Sequence, residues 1–590
     1  MKFLRSYSGK TIALLLIVFS VIVYNNISKR FQNNNMCVCA YDGFGYYMYL
    51  PHLFQKGDLR MNKKWAKELQ NERCPGAPVY QIEKGKYMNE LNIYHMGLSM
   101  VMLPSYTIAD IYARATGYSR DGFSEPYHVA YHLNALLFIF LGLLYLRKLL
   151  LQFTSDKIAA LTIGVLYLSS NIYFTFEHQY DLTHLYLFSL NAIWLYHLFQ
   201  YNASDKKRSL FFSTLIFGLT VCIRPTQAIL VIIPLFALHK KEINRKIFWK
   251  HLMLFPLLAF VWNIPQMAYW QIIGGSPFIL NMHTEDIVLS DPNLKDFLFS
   301  YRKGWLIYSP IFIFSIVGFV TLYKRAKHVF WAILTSIFIY IYVMASWECW
   351  WYASSFGSRA MVDIYPLFAI LIAFALSHFK SIYLRISSGI FILFCIVLNL
   401  FQSNQMKLGL LSGDKLTKQH YWYTFGKTNI KDFHKEYLIP SKEDLKWPKR
   451  IDSLNIPGLK IQDKEIFRIN GTLKSESKKD LSITRFKFYD KVSTFESQFE
   501  VHFKVKTSNP ELGAILKMEA FTGHNNYMWQ NAEISIDQSS EEFQEFVYIF
   551  NLEWIRHQED GMQIYVYNPN DVVIEIKDFH IIAHELIRED

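Results

Sequence analysis

One carboxylate set among aromatic residues is the first place along this chain where the side chains invite chemistry: Tyr41-Asp42-Gly43-Phe44-Gly45-Tyr46-Tyr47-Met48-Tyr49-Leu50-Pro51. Beside a low-dielectric boundary, an ionised Asp42 can deprotonate or polarise a hydroxyl, and the rings of Tyr46 and Tyr47 offer flat faces to a sugar or an isoprenoid chain. A loop aspartate held by backbone amides is the plainer alternative. A second stretch, Phe174-Thr175-Phe176-Glu177-His178-Gln179-Tyr180-Asp181, adds Glu177, His178 and Asp181 as further acid–base candidates. Ordinary helix-end polarity, with Asp181 as an N-cap, accounts for these three equally.

Arginines supply the complementary charge. Arg224, followed by Pro225 and Thr226, interrupts an apolar stretch, where a cation is costly enough to need an ion partner or a wet cavity. The stretch from Trp347 through Trp350, Trp351, Phe356, Gly357 and Arg359 to Pro366 is richer. There Gly357 permits a tight turn, Arg359 presents a planar fork of donors to a phosphate, and the tryptophans offer faces to a lipid or sugar. An interfacial aromatic belt is the competing explanation. A weaker phosphate candidate is Arg302, in Phe299-Ser300-Tyr301-Arg302-Lys303-Gly304-Trp305, and the nearby His283, Glu285 and Asp286 read as a polar loop.

Holding such groups at one place requires the rest of the chain. Of 590 residues, 52% are hydrophobic and 17% aromatic, and the apolar residues come in long runs separated by short basic clusters. Runs near 11–24, 128–151, 158–174, 182–200, 210–223, 226–238, 248–273, 305–323, 328–346, 361–377 and 382–401 predict about eleven spans, with 224–226 either joining two half-helices or kinking one. The first run reads as an uncleaved anchor. Lys2 to Lys10, Arg147 to Lys157, Lys206 to Arg208, Lys240 to Lys246, Lys324 to Lys327, and Lys380 with Arg385 then fall on one side, which the positive-inside rule makes cytoplasmic. That rule absorbs much of the formal net charge of +12, so nucleic acid is not an expected partner. The candidate residues fall on the opposite side, Arg224 among them if its break lies near the outer surface. There Ile93 to Arg114 is expected to lie in the interface, with Pro104 as a kink.

From about Leu454 the period becomes two: Phe499, Val501, Phe503 and Val505 alternate with Glu500, His502 and Lys504. The expected organisation is a polytopic helical domain over 1–403, a linker over 404–454 and an extracytoplasmic, jelly-roll-like antiparallel β-sandwich over 455–590. The six cysteines make no zinc or redox spacing, although Cys74 has Cys37 and Cys39 within reach as disulfide partners in an oxidising compartment.

With these residues in view, the sequence resembles the GT-C superfamily of polyprenyl-phosphosugar glycosyltransferases, including protein O-mannosyltransferases and lipid A aminoarabinose transferases, over roughly residues 10 to 400. The resemblance rests on Asp42 followed by Tyr46 at the start of the first external loop, on an interfacial helix after it, and on a W-x-x-W…F-G-x-R…P pattern ending at Arg359 and Pro366. Residues 299–304 are similar to a recurrent F-S-x-R-x-G motif of the same proteins. The resemblance implies a multi-pass enzyme of the bacterial inner membrane. It implies inverting transfer from a polyprenyl-phosphosugar donor to a glycan, lipid or protein acceptor, with Asp42 as base and Arg359, Arg224 and Arg302 on the phosphate. Many members have Glu where this chain has Gly43, so the case for a bound divalent metal is left open and no cofactor is assigned. Two other function classes are consistent with a helical membrane domain: a lipid-linked-glycan flippase and a non-catalytic receptor whose sandwich binds glycan. Polar residues clustered on one face, not along span interiors, favour surface chemistry over translocation.

Overall fold

The computed structural model describes residues 39–73, 77, 79–84, 89–241, 244–278, 287–290, 292–347, 349–414, 416–429, 459–475, 480–492, 497–507, 514–522, 525–534, 542–551, 560–568 and 572–588. The expected N-terminal anchor, Cys37, Cys74, His283, Glu285, Asp286 and most of 404–454 lie outside them. The chain forms two compact units, Met1–Phe433 and His434–Asp590.

The first unit is helical. Five of its described helices are long and apolar enough to cross a membrane: Glu125–Leu150, Arg245–Gly274, Lys327–Ala345, Arg359–His378 and Ile382–Lys407. A sixth candidate is Asp156–Ser169 with Ile172–His178, two helices bent by 69° at their junction. The other expected spans coincide with helices that are shorter, broken or more polar. Thr183–Ser204 carries His184, Asn191, His197, Gln200 and Asn202 among its apolar residues, and Lys207–Ile223 ends at the Arg224 break. Trp305–Tyr308, Pro310–Ile313 and Phe314–Arg325 replace a single run, because Pro310 cannot donate a hydrogen bond to the preceding turn.

Local chemistry sets the helix ends. Glu125 in the first turn and Arg147 with Lys148 in the last turn of Glu125–Leu150 complement the helix dipole. Arg147 then pairs at 3.2 Å with Asp156 in the first turn of the next helix, fixing the hairpin between them. Burial places Arg359–His378 at the centre, with 94% of its apolar window enclosed by protein. Ile382–Lys407 lies at the periphery with 11%, its Ile390, Leu393, Phe394 and Val397 facing outward as lipid contact would require. Gly97–Thr116 contains Pro104 and exposes Ile108, Ile111 and Tyr112. Within the expected linker, Ile382–Lys407 continues through 404–407. From that last turn Gln405 donates to the Thr424 and Lys427 carbonyls, holding the short helix Lys418–Thr424 against the helical unit.

Strands β1 (Ile82–Lys84) and β2 (Glu90–Asn92) make a small antiparallel hairpin in the first unit. The second unit is an antiparallel sandwich. Strands β3 (Leu459–Arg468), β4 (Thr472–Lys474), β6 (Ser497–Thr507), β9 (Gln544–Asn551) and β11 (Ile574–Arg588) form one sheet, ordered β3-β11-β6-β9 with β4 also on β11. The other sheet is ordered β5-β10-β7-β8, from Leu481–Lys487, Gly561–Tyr567, Ala514–Thr522 and Asn525–Ile534. The two-residue alternation read from the sequence is the packing rule of this core: Phe499, Val501, Phe503 and Val505 are buried against Leu516, Met518, Ile564 and Val566 of the opposite sheet.

Candidate functional site

Asp42 lies in the first turn of the short helix Tyr41–Tyr47. Tyr41 is forced to φ +51°, a region that costs a non-glycine residue energy, and Gln81 holds it there by donating to its carbonyl at 2.7 Å. Asp42 follows directly, its side chain 23% exposed. One carboxylate oxygen accepts from the Tyr80 and Tyr94 hydroxyls, each at 2.7 Å, and the other accepts from Arg359 Nη2 at 2.7 Å. Burial alone would raise the Asp42 pKa, but the Arg359 charge and these hydrogen bonds outweigh it and hold the carboxyl at about 2. Asp42 is therefore an ion at any physiological pH.

Arg359 opens the 3₁₀ turn Arg359–Ile364 and is 8% exposed. Its loop is fastened from several sides. Asn171, at the bend between Asp156–Ser169 and Ile172–His178, donates to the Phe356 and Ser358 carbonyls, and Lys303 donates to Ser355. Gly357 turns the chain at φ +61°. With Nη2 on Asp42, Arg359 keeps Nε buried without a hydrogen-bond partner. A buried guanidinium with an unused donor is costly unless an anion completes it.

Arg224 reaches the same place from another direction. Pro225 disfavours helical backbone at the residue before it, so Lys207–Ile223 stops and Arg224 extends at φ −143°, ψ 115°. Its Nη1 lies 3.6 Å from Asp363 Oδ2. The Tyr46 hydroxyl stands among these charges: burial raises its pKa most, Arg224 and Arg359 oppose the rise, and Asp42 adds to it. The Gly97 end of Gly97–Thr116 packs directly on the break, where an added Cβ would lie 2.5 Å from the Cys222 carbonyl carbon. Gly97→Ala must push backbone against backbone, so a loss of about 1–3 kcal/mol is expected in thermal unfolding of the purified protein.

Asp181, from the acidic stretch, packs against Gly43, the residue after Asp42. Any Cβ at Gly43 would sit 2.9 Å from Asp181 Oδ2, so the close approach of that loop favours a bare position 43. Among the described residues no group of three or more His, Cys, Asp or Glu side chains is placed to hold a metal ion, and Asp42 already faces a guanidinium.

Other sequence candidates lie elsewhere. Glu177 turns to the Tyr167 hydroxyl and to Lys407, at 3.2 and 3.9 Å, and His178 packs on the Phe174 ring. Arg302 lies flat on Trp351, 3.6 Å from the ring centroid, and its Nε donates to the Asp414 carbonyl while Trp351 Nε1 donates to the Asp414 carboxylate. The stacked guanidinium and the Trp351 N–H, both bonded to Asp414, tie the 347–358 loop to residues just past the last long helix. Trp350 is buried, Trp347 packs on Tyr352, and Tyr47 is a core ring bonded to the Gly122 carbonyl.

Sequence reasoning missed a second cluster behind Arg224. Asp363, on the same 3₁₀ turn as Arg359, is fully buried and accepts from His184 Nδ1 at 2.7 Å, Tyr340 at 2.9 Å and Gln227 at 3.1 Å. Asn191 locks the turn by donating to the Asp363 carbonyl and to Gln227. The signal was available, since an acid and a histidine inside apolar runs are each a site hypothesis by default.

The sequence matches no family model and no curated protein. Among solved structures, the chain is similar to an oligosaccharyltransferase of Archaeoglobus fulgidus in its apo form, at 12% identity and a TM-score of 0.45, covering 73% of this chain and 60% of that one. It is also similar to ArnT from Cupriavidus metallidurans bound to undecaprenyl phosphate, at 14% identity and a TM-score of 0.41, covering 63% of this chain and 61% of that one. The chain thus spans about three fifths of the length of each.

Proposed function

We propose that this protein is an integral-membrane glycosyltransferase that takes a sugar from a polyprenyl-phosphate-linked donor. It delivers that sugar to an acceptor hydroxyl or amine on the extracytoplasmic face of the bacterial inner membrane. The observation that carries the reading is the buried Arg359, which pairs with Asp42 through Nη2, has no hydrogen-bond partner in the protein for Nε, and feels the charge of Arg224. Two fixed guanidinium groups suit a leaving phosphate better than mobile ammonium groups, because their planar forks are already oriented. The motifs around Asp42 and Arg359 support the same assignment.

Within this reading, Arg359 and Arg224 take the donor phosphate and Tyr46 lines the space between them. The Asp42 carboxylate faces the positive charge that develops at the anomeric carbon as the phosphate departs. Single displacement with inversion then transfers the sugar.

The test is incubation of the purified protein in bilayers with a panel of radiolabelled polyprenyl-phosphosugars, counting label released from the lipid. Release from at least one donor, abolished in Arg359→Gln, is expected. No release from any donor, with lipid-linked label instead crossing vesicle bilayers, would favour translocation.

A further inference from the structure

We propose that His184 and Asp363 form the proton-handling pair of this site, with His184 Nε2 taking the proton of the acceptor during transfer. The inference rests on the transferase reading above.

Asp42 is poorly suited to that task. Both of its oxygens are engaged, one by two tyrosine hydroxyls and the other by an arginine, so neither is directed at an acceptor hydroxyl. His184 is arranged differently. It is the second residue of Thr183–Ser204, and both hydrogen-bond contacts of its ring fall on Nδ1, with Asp363 Oδ1 at 2.7 Å and Arg224 Nη1 at 3.4 Å. The nearer, anionic partner decides the tautomer: Nδ1 carries the proton toward Asp363, and Nε2 keeps its lone pair. Asp363 cannot serve as the base itself, because four side chains crowd a carboxylate with no exposed surface. Its position matches the orienting acid behind a catalytic imidazole, which fixes the ring and balances the imidazolium that forms.

The surroundings place this pair at the reaction. Arg224 and Arg359 both lie within electrostatic range of His184, so its ring borders the groups that take the donor phosphate. Thr183, the preceding residue, meets the Tyr46 hydroxyl. The groups facing the imidazole are therefore Asp363 and Arg359 from one turn and Arg224 from the helix break, with Tyr46 at its neighbour.

The step balances without a further reagent. A lone pair on the acceptor oxygen forms the new bond to the anomeric carbon. The bond from that carbon to the phosphate oxygen breaks, and its electron pair leaves with the polyprenyl phosphate beside Arg359 and Arg224. The acceptor proton passes to His184 Nε2, the imidazolium is neutralised by Asp363, and the proton then leaves to water.

The experiment uses the full-length protein and a labelled donor that the wild type turns over. His184→Gly should lower kcat by about 10²–10⁴-fold while binding of polyprenyl phosphate in vesicles stays within threefold. Added imidazole should restore at least tenfold of that loss, which a merely structural histidine would not allow. In the wild type, diethyl pyrocarbonate should modify His184 at Nε2 and stop turnover, a readout that does not depend on the variant folding. A His184→Gly protein turning over within threefold of wild type, a folded variant indifferent to imidazole, or a wild type that stays active after His184 is modified each overturns the pair while leaving the transferase standing. A wild type inactive on every donor removes the transferase and this role together.

Discussion

Asp42→Asn should cut transfer by roughly 10³-fold or more, the scale seen when a preorganised electrostatic partner is removed from a transition state. Asparagine keeps the shape and retains an oxygen for the Tyr80 and Tyr94 hydroxyls, while its NH2 group faces Arg359 as a second donor and releases that side chain. What disappears is the negative charge facing Arg359 at 2.7 Å. The loss should therefore fall on kcat, with donor binding equal or tighter, because the arginine is freed for phosphate; a raised KM at unchanged kcat would contradict the electrostatic role.

The same ion pair makes a stability prediction whose sign is fixed. The folded-state pKa of Asp42 lies below its ordinary value of 3.8, at about 2, so the carboxylate stabilises the fold above pH 3.8 and that contribution is lost as the pH falls toward 2. With the Asp42 side chain 23% exposed, the contribution is roughly 2 kcal/mol. Thermal unfolding followed from pH 5 to pH 2 should show the wild type losing this increment and Asp42→Asn lacking it throughout.

How far the sequence reached depends on which physical signal each residue carried. Helices and strands were readable because their burial is periodic: the alternation Phe499, Val501, Phe503, Val505 is the inner face of a sheet, and the long apolar runs became the long helices. Asp42, Arg224 and Arg359 were readable because charge near hydrocarbon needs a reason. Aromatic residues gave no such discrimination. Tyr46 and Tyr47 are adjacent and alike, yet one borders the charged groups and the other is a core ring, a difference set by helix phase and by partners such as Phe123 and Tyr131 that sequence spacing does not reveal. Arg302 and Arg359 each lie three residues after a phenylalanine, and only the fold shows that Asp414, far along the chain, claims the first of them. That contact also explains why 404–427 is poorly described by composition alone. The segment is polar, as linkers are, but its polar groups are spent on Arg302, Trp351 and Gln405. Tyr80 and Tyr94, which complete the Asp42 site, lie in loop and hairpin surroundings without periodicity and could be assigned only from coordinates.

Arg359→Gln separates the two tasks of that arginine. Glutamine can still offer one N–H to Asp42, but it has no charge for the phosphate, so kcat/KM should fall by about 10²–10³-fold with a clear rise in the KM for donor. The second consequence concerns Asp42. Burial is the largest influence on its carboxyl and acts upward; the Arg359 charge is the largest one acting downward. Without the arginine that downward influence is gone, and the carboxyl titrates at a higher pH than in the wild type. Residual activity of Arg359→Gln should then decline on the acid side at a pH where the wild type is still flat. Arg359→Lys discriminates between charge and geometry: an ammonium restores the acid side by keeping a cation near Asp42, but it cannot reproduce the fork that engages carboxylate and phosphate together, so most of the loss in kcat/KM should remain. An Arg359→Lys protein with wild-type donor KM would show that the phosphate is held elsewhere.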